Sequence, residues 1–446
     1  MGELPPMKNK RIDLQWQILI GIVAGIVFGL LLNYAVSSGV NPELLGGVKQ
    51  LFTYGGDIFL RLLRMVIVPL VFSSIFMAVV NLGAVKELGK IGVVTILYYV
   101  TTTAVAVLVG LLLVNIIHPG HGIDPTVLES LAMHKGVPEQ VAAVQAEGKN
   151  VVFVILNTLI NIIPDNAAAA FAHGDILQII FFSIFCALIA GLLGKKTEPL
   201  KNVVSALDLI MQKAVSLIMI IAPYCIFFLV CSLCMDLGFS SLAALARYAF
   251  TVIIGLAIHS CICLPLLVVI FARRNPLSLM RSVMPALLTA WSTASSAATL
   301  PLTMECLKNR AKIDERIGNF VAALGATINM DGTALYESVA VIFIAELMGI
   351  PLPLTMQVVV FITATLAAIG AAAIPGAGMV TMGIVLSAVG LPLEGIGLIL
   401  VIDRVLDQFR TAVNVWGDVT AAAVVNTVEG RTVTRTTVRE EETSAL

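Results

Sequence analysis

Residues 291–299 read Trp-Ser-Thr-Ala-Ser-Ser-Ala-Ala-Thr, and residues 371–378 read Ala-Ala-Ala-Ile-Pro-Gly-Ala-Gly. Each stretch interrupts an apolar run that is long enough to enter a membrane. Clusters of small hydroxyl residues, or of Gly and Pro, are a poor centre for a lipid-facing helix, because non-helical backbone at membrane depth must be covered by protein or water. The two stretches therefore predict two re-entrant hairpins of half-helices, over 276–308 and 353–388.

A helix that carries polar residues is predicted after each hairpin, over 317–348 and 392–427. A hairpin followed by a helix, occurring twice, predicts an inverted repeat. Paired interrupted segments of this kind are typical of the midplane binding site of a transporter. The alternative is irregular packing alone, since Gly and Pro are common in membrane helices.

The composition places the chain in the membrane. Of its 446 residues, 59% are hydrophobic and only 12% are charged, whereas soluble domains carry about a quarter charged residues. This excludes a soluble enzyme, a disordered scaffold and a nucleic-acid-binding protein, and a net charge of −1 leaves no polybasic surface. The seven cysteines show no metal-ligand spacing and are interpreted as packing residues.

Apolar runs outside the hairpins predict further spanning helices at 15–37, 55–81, 91–117, 199–236 and 241–272, with a broken segment at 151–194. Lys and Arg cluster at 8–11, 86–90, 195–201, 273–274 and 308–316, while 38–54, 118–150 and 236–241 carry few. By the positive-inside rule the first set is cytoplasmic, as are both termini. We expect a multi-pass protein of the plasma membrane, with an uncleaved N-terminal anchor, in a bacterial inner membrane.

The last helix carries one polar stripe made of Asp403, Asp407, Arg410, Asn414 and Asp418. At about 100° per residue, these side chains fall within an arc of about 80°. Charges on a hydrophobic helix are costly in lipid, so the stripe must face protein, water or a ligand. The alternative is that Asp407 and Arg410 simply pair with each other, which leaves Asn414 and Asp418 unexplained.

A second polar motif reads Gly-Ala-Thr-Ile-Asn-Met-Asp-Gly-Thr over 325–333, followed by Tyr336 and Glu337. Asn and Asp beside Gly and Thr at mid-membrane predict an unwound helix with free carbonyls. Free carbonyls and carboxylates suit Na⁺, whereas soft transition metals prefer His or Cys. His259, alone in an apolar run, is interpreted as a packing histidine and not as a ligand.

These motifs together resemble the glutamate transporter family, the dicarboxylate/amino acid:cation symporters, which includes animal excitatory amino acid transporters and archaeal aspartate transporters. The resemblance rests on residues 329–333, on both interrupted hairpins and on Asp-x-x-Arg-x-x-x-Asn-x-x-x-Asp over 407–418, and it runs from 13 to 428. It implies an all-α integral membrane protomer with eight transmembrane helices, two re-entrant hairpins and inverted repeats. It also implies a homotrimer and an elevator mechanism.

The resemblance further implies a division of the chain. Residues 13–275 would supply mainly scaffold and trimerisation helices with peripheral helices of the transport domain. Residues 276–428 would form the core transport domain, with hairpin 1, helix 7, hairpin 2 and helix 8. Residues 429–446 would form a cytoplasmic tail.

The resemblance assigns substrate contacts one residue at a time. Arg410 would hold the side-chain carboxylate of an acidic amino acid, a role that suits a planar guanidinium. Asp407 would hold the ammonium group. The other implied substrate contacts are Ser295, Ser296, Thr333, Ile374, Gly378, Thr411 and Asn414.

The same resemblance implies two or three Na⁺ ions and no organic cofactor. One site would use Asp418 with carbonyls of Gly325, Asn329 and Asn414. A second would use the side chains of Tyr99, Thr102, Thr103, Asn329 and Asp331, and a third mostly carbonyls of Thr327, Ala368, Ile369 and Ala371.

Three features, at four positions, depart from the pattern of the archaeal or the animal members. The arginine that archaeal relatives carry at the first hairpin tip is Ala294, and the one that animal relatives carry on the last helix is Gln408; Arg404, one turn earlier, could reach a similar place. Ala373 replaces a hairpin glycine. Glu337 matches animal members, which implies that it binds a proton for co-transport, and K⁺ would then be counter-transported.

The sequence predicts a sodium-coupled symporter of glutamate or aspartate with proton co-transport, and not an enzyme. A proton- or sodium-coupled carrier of C4-dicarboxylates or neutral amino acids on the same scaffold is the alternative. An ion channel would need rings of pore-lining residues. An intramembrane aspartyl protease would need Gly-x-Gly-Asp, whereas residues 415–418 read Val-Trp-Gly-Asp.

Overall fold

The computed structural model describes residues 14–37, 42–84, 90–121, 160, 163–369, 377–392 and 395–444, and its regular elements are all helical. In chain order the helices are α1 (Leu14–Ser37), α2 (Pro42–Ala84), α3 (Lys90–Ile117), α4 (Ala167–His173), α5 (Ile176–Leu193), α6 (Glu198–Ile258), α7 (Pro276–Thr293), α8 (Ser296–Asn309), α9 (Glu315–Ile328), α10 (Asp331–Leu347), α11 (Leu354–Ile369), α12 (Ala377–Ala388) and α13 (Ile396–Ser444).

The first helices pack against α6, and small residues allow the close approach. Gly21, Gly25 and Gly29 recur at four-residue spacing on the face of α1 that meets α6. A Cβ added at Gly21 would lie 2.5 Å from the carbonyl oxygen of Pro223. Because apolar side chains gain little by leaving lipid for protein, membrane helices associate through such close backbone packing.

The polar cluster at 291–299 does interrupt a helix, as predicted. α7 ends at Thr293, and the next residue, Ala294, has a left-handed φ of 48°. Ser295 then caps α8 by accepting a hydrogen bond of 3.2 Å from the N–H of Ala298. α7 and α8 pack against each other, and both contact α13. The tip of this pair therefore lies beside the last helix.

The predicted unwinding in the second polar motif is also confirmed. α9 ends at Ile328 and α10 begins at Asp331, while Asn329 and Met330 leave the helical conformation. Every residue from Ile328 to Ala345 is buried inside the protein. This break is where backbone carbonyls and the side chains of Asn329 and Asp331 become available for binding.

Five stretches in the described part of the chain are long and apolar enough to cross a membrane: Trp16–Ala35, Ile91–Ile117, Gln178–Ser232, Ala243–Ala272 and Glu315–Leu347. Large apolar side chains such as Leu97, Leu108 and Leu112 are exposed on α3. Exposed apolar surface of this kind fits contact with lipid. The chain is a multi-pass membrane protein.

Several predicted boundaries are wrong. The loop at 236–241 is helical, because α6 continues through it to Ile258 and the loop's single glycine, Gly238, does not end the helix. π-helical turns follow at His259–Cys263 and Val268–Ala272. α2 begins at Pro42, well before 55, and α13 continues past 427 to Ser444. Most of the polar segment 118–150 and the tip of the second hairpin lie outside the described residues.

Candidate functional site

Arg410 is the centre of a buried ionic cluster on α13. Its side chain is fully buried, and its Nη2 lies 2.8 Å from Oδ1 of Asp407 and 3.2 Å from Oδ1 of Asp403. Asp407 and Arg410 thus do pair with each other, but Asp403 joins them. Arg410 Nε and Nη1 are buried and find no hydrogen-bond partner among the described residues. A buried donor left unpaired is costly, so these two groups are suited to bind an anionic ligand.

Two neighbours fix the guanidinium. Its Cζ lies 3.8 Å from the ring centroid of Tyr336 on α10, a cation–π contact, and the hydroxyl of Tyr336 donates a hydrogen bond of 2.6 Å to Asp403. Gly378 on α12 faces the guanidinium, since a Cβ added there would lie 2.7 Å from Nη1 of Arg410. The second hairpin therefore reaches the face of Arg410 whose donors are unpaired.

Arg404 adds a second cation to this cluster. Its Nη1 lies 3.2 Å from Oδ2 of Asp407, and the residue is 8% exposed. Two carboxylates and two guanidiniums thus lie within two turns of α13, and their formal charges cancel. Arg404 therefore lies in the same buried ionic cluster as Arg410.

Asn414 joins α13 to the unwound part of α10. The N–H of Gly332 donates a hydrogen bond of 2.8 Å to Oδ1 of Asn414, and Nδ2 of Asn414 lies 3.3 Å from the hydroxyl of Thr333. Thr411, one residue after Arg410, is also buried. The structure thus brings Asp407, Arg410, Asn414 and Thr333 into one contiguous site.

The first hairpin lies next to this site. Ser295 and Ser296 are buried at the start of α8. The rings of Trp291 and Phe409 are 6.2 Å apart, edge to face, which places the end of α7 beside the residue before Arg410. Of the predicted substrate contacts, Ile374 lies outside the described residues.

Glu337 is buried one turn after Thr333. Its Oε1 accepts a hydrogen bond from the hydroxyl of Thr381 on α12, and its Oε2 has no partner among the described residues. The carboxyl group therefore bridges α10 and the second hairpin.

A second polar cluster surrounds Asp331, which is fully buried. Its Oδ1 accepts hydrogen bonds from Thr103 at 2.7 Å and Thr102 at 3.2 Å, both on α3. The hydroxyl of Tyr99, one turn before Thr103, donates to the carbonyl of Val321 at 2.8 Å. These are the side chains that the resemblance assigns to one sodium site.

Asp418 and Asn329 form the adjoining part of the cluster. Nδ2 of Asn329 donates to Oδ1 of Asp418 at 2.9 Å, while Oδ1 of Asn329 is buried without a hydrogen-bond partner among the described residues. Neither Asp331 nor Asp418 forms a salt bridge to Lys or Arg within the described chain. A buried carboxylate is stabilised by a cationic partner or a bound metal ion. Asp331 has His259 at 3.1 Å, whereas Asp418 has no cationic side chain beside it in the described chain, so the geometry suits a cation such as Na⁺ next to Asp418.

His259, which the sequence analysis interprets as a packing histidine, lies against the cluster around Asp331. Its Nε2 lies 3.1 Å from Oδ2 of Asp331, and the ring is fully buried. The π-helical turn that begins at His259 turns this side chain toward α10. Its partner Asp331 lies 72 residues later on another helix, so this contact could be recognised only from the tertiary fold.

The third predicted sodium site is only partly within the described residues. Thr327 lies in the last turn of α9, and Ala368 and Ile369 end α11, which contacts α9. Ala371 lies outside the described residues.

Three further residues belong to the site although their roles were not predicted: Asp403, Tyr336 and Thr381. Asp403 was part of the polar stripe on α13, and Tyr336 was part of the second motif. Thr381 is three residues after Gly378 and so shares its face of α12. That spacing is the signal that could have identified it.

Gly325→Ala is expected to weaken the cation cluster. An added Cβ would clash with Oδ1 of Asp418 and lie 2.5 Å from the hydroxyl of Tyr99. Overpacking of this kind costs about 1–3 kcal/mol, more than the roughly 1 kcal/mol that Ala gains over Gly in a helix. We expect a lower melting temperature and a higher half-saturating Na⁺ concentration.

Gly191→Ala on α5 is the matched control, because no atom lies within 4 Å of an added Cβ there. It should leave Na⁺ dependence unchanged and the melting temperature equal or higher. Equal behaviour of the two variants would contradict the packing described around Gly325.

Comparison with known proteins agrees with this geometry. A sequence profile of the sodium:dicarboxylate symporter family matches residues 14–428. The chain is 38% identical over 445 residues to Excitatory amino acid transporter 3 of Mus musculus, covering 92% of this chain and 84% of that protein. It is 35% identical over 459 residues to Excitatory amino acid transporter of Caenorhabditis elegans, with 94% and 89% covered. Excitatory amino acid transporter 2 of Mus musculus is 36% identical over 452 residues, with 91% and 77% covered.

A helical membrane transporter is the class that the fold, the two buried polar clusters and these comparisons define. The chain belongs to the sodium:dicarboxylate symporter family. The resemblance seen in the sequence is therefore confirmed, and the protein is a transporter and not an enzyme.

Proposed function

We propose that the protein is a sodium-coupled symporter of acidic amino acids, with glutamate and aspartate as its substrates. The observation that carries the proposal is Arg410, a fully buried guanidinium with Nε and Nη1 unpaired among the described residues. A second carboxylate on the substrate would pair with those donors. The relatives are named excitatory amino acid transporters, which supports the same substrate class.

The remaining substrate contacts follow from the neighbours of Arg410. Asp407 would bind the ammonium group of the substrate. That contact would replace part of the ion pairing of Asp407 with Arg404 and Arg410. Asn414 and Thr333 would hold the α-carboxylate through an amide and a hydroxyl. Thr411, Ser295, Ser296, Ile374 and Gly378 complete the set of proposed contacts.

Na⁺ would occupy the cluster around Asp331 and Asp418. The orphan acceptor Oδ1 of Asn329 and the hydroxyls of Thr102 and Thr103 supply the hard oxygen ligands that Na⁺ prefers. Asn329 contacts the carbonyl of Asn414 at 3.3 Å, so the cation cluster and the substrate cluster share residues. Shared residues give a physical route for sodium and substrate to strengthen each other's binding.

A C4-dicarboxylate carrier is the second candidate. It is favoured by Arg404, which already pairs with Asp407 and reduces the need for a substrate ammonium group. Labelled aspartate uptake into proteoliposomes, with Na⁺ imposed outside, separates the candidates by competition. Glutamate should compete, whereas succinate and alanine should not; competition by succinate alone would favour the dicarboxylate carrier.

The proposal extends to the assembly and the motion. We propose a homotrimer in the plasma membrane, in which scaffold helices hold the trimer and α7 to α13 carry substrate across as an elevator. Two sets of contacts support such a division. α1, α2 and α5 contact one another or α6, whereas α7, α8, α9, α10 and α12 contact α13, and α11 packs on α10 and α12. Proton co-transport and K⁺ counter-transport are proposed to depend on Glu337.

Glu337→Gln is expected to preserve exchange of substrate and to remove the pH dependence of net uptake. Glutamine keeps an acceptor for Thr381 but cannot exchange a proton. Any dependence on internal K⁺ should be lost as well. Glu305→Gln, an exposed carboxyl on α8, is the control and should behave as the wild type. Wild-type uptake without acidification of the vesicle interior would rule out proton carriage by Glu337.

A further inference from the structure

Two loops meet at the end of the first hairpin that lies away from its tip. One loop joins the π-helical turn Val268–Ala272 to α7, and the other joins α8 to α9. Nη1 of Arg274 donates a hydrogen bond of 2.8 Å to the carbonyl of Ala311, which ties the two loops together. The N–H of Asp314 donates to Oδ1 of Asn426 at 3.0 Å, which ties the second loop to α13. The pair of loops is therefore a fixed part of the fold.

This end of the hairpin is strongly basic. Residues 273–316 hold seven basic and three acidic side chains, so their net charge is +4, whereas that of the whole chain is −1. Lys308 pairs with Glu315 at 2.6 Å. Four other basic side chains are exposed and form no salt bridge within the described chain. We call them the basal patch, and they are Arg273, Arg310, Lys312 and Arg316.

Two residues of the basal patch have a backbone conformation that suits glycine better. The φ of Arg273 is 51° and that of Lys312 is 54°, so both are left-handed. Such a backbone is uncommon for residues other than glycine and costs free energy, and strain of this kind is often retained where a residue has a function. The positive-inside rule accounts for Lys and Arg in these loops but not at these two strained positions. Their charge is therefore used for more than topology.

Exposed apolar side chains border the basal patch. Ile270 and Phe271, which are 53% and 48% exposed, directly precede the first loop, and Leu277, which is 66% exposed, follows it on α7. A surface that is cationic on one side and apolar on the other matches a ligand with an anionic head group and a hydrocarbon chain. A soluble polyanion would gain nothing from the apolar side chains.

We propose that the basal patch binds the head group of an anionic phospholipid, with an acyl chain of the same lipid lying along Ile270, Phe271 and Leu277. The predicted topology places this end of the hairpin at the cytoplasmic face, where the membrane leaflet carries anionic lipids. Guanidinium and ammonium groups both bind phosphate well. Each basic residue near such a membrane surface contributes roughly fivefold in affinity.

Native mass spectrometry of the full-length protein in a non-ionic detergent, titrated with phosphatidylglycerol or with phosphatidylcholine of the same acyl chains, tests the proposal. We expect the first phosphatidylglycerol to bind about tenfold or more tightly than phosphatidylcholine. Arg273→Gly combined with Lys312→Gly removes two charges and should abolish most of this preference. Because glycine adopts a left-handed φ freely, the same double variant should melt at an equal or higher temperature. Loss of lipid preference without loss of stability separates binding from folding.

Two further variants are controls. Arg273→Lys combined with Lys312→Arg keeps both charges and should keep the preference. Lys49→Gln removes an exposed charge from α2, on the opposite predicted side of the membrane, and should also keep it.

An unchanged preference for phosphatidylglycerol in the glycine double variant would overturn the proposal, as would an equal loss of preference in Lys49→Gln. Displacement of phosphatidylglycerol by inorganic phosphate or heparin, at concentrations similar to that of the lipid, would indicate a surface for soluble anions and would also overturn it. The readout is lipid binding and not uptake, so its failure leaves the proposed symport untouched.

Discussion

Arg410→Cys is expected to abolish uptake of aspartate and glutamate. The variant removes the only group that offers two unpaired, buried N–H donors to a second carboxylate in the described substrate cluster. Losing one partner of a buried, hydrogen-bonded charge pair costs about 2–5 kcal/mol, which is well over tenfold in affinity. Part of that cost arises because Asp403 and Asp407 would keep only Arg404 as a cationic neighbour.

The substrate specificity of Arg410→Cys is as informative as its loss of acidic amino acid uptake. A neutral thiol in place of the guanidinium leaves Asp407 and Asn414 able to bind the amino acid backbone, so serine or alanine could then be transported. Arg281→Cys, an exposed position on α7, is the matched control and should retain wild-type uptake. Unchanged aspartate affinity in Arg410→Cys would contradict the assignment of Arg410.

Asp331→Asn and Asp418→Asn are each expected to raise the half-saturating Na⁺ concentration by about tenfold or more. Each variant removes a formal charge from a buried carboxylate that has no Lys or Arg partner in the described structure. A buried charge of this kind is tolerated because a cation neutralises it. Binding is reciprocal, so aspartate affinity measured at fixed Na⁺ should fall by a related factor.

Asp208→Asn is the matched control for these two variants. Asp208 is a half-buried carboxyl on α6 that accepts hydrogen bonds from Ser74 at 2.7 Å and Gln212 at 2.8 Å. Its replacement should leave the Na⁺ dependence unchanged. If all three variants shifted the Na⁺ dependence equally, the effect would be structural and the cluster at Asp331 would not be a sodium site.

The elements that break helices could be predicted from the sequence. The serine-rich stretch at 291–299 and the pair Asn329-Met330 interrupt helices because small polar residues cap helix ends and compete for backbone hydrogen bonds. The polar stripe on α13 was predictable because a period of 3.6 residues places Asp403, Asp407 and Arg410 on one face. Local pattern was sufficient in each case.

The rest of the site depends on tertiary contacts that no local pattern contains. Thr381 meets Glu337, Tyr336 meets Asp403 and His259 meets Asp331, and in each pair the partners belong to different helices. The sequence analysis did not predict that α6 continues through residues 236–241, and the cause there is different. Residues 236–241 contain polar residues and one glycine, a composition that resembles a loop, yet packing overrides such weak local preferences.

The coupling of substrate to sodium is the central claim, and an accumulation measurement in proteoliposomes tests it most directly. Labelled aspartate should accumulate inside against its gradient when Na⁺ is high outside, and should leave again when an ionophore dissipates the Na⁺ gradient at constant pH. The same vesicles in choline buffer should show no accumulation. Equal accumulation in choline and in Na⁺ would contradict the account and would indicate a carrier driven by protons alone.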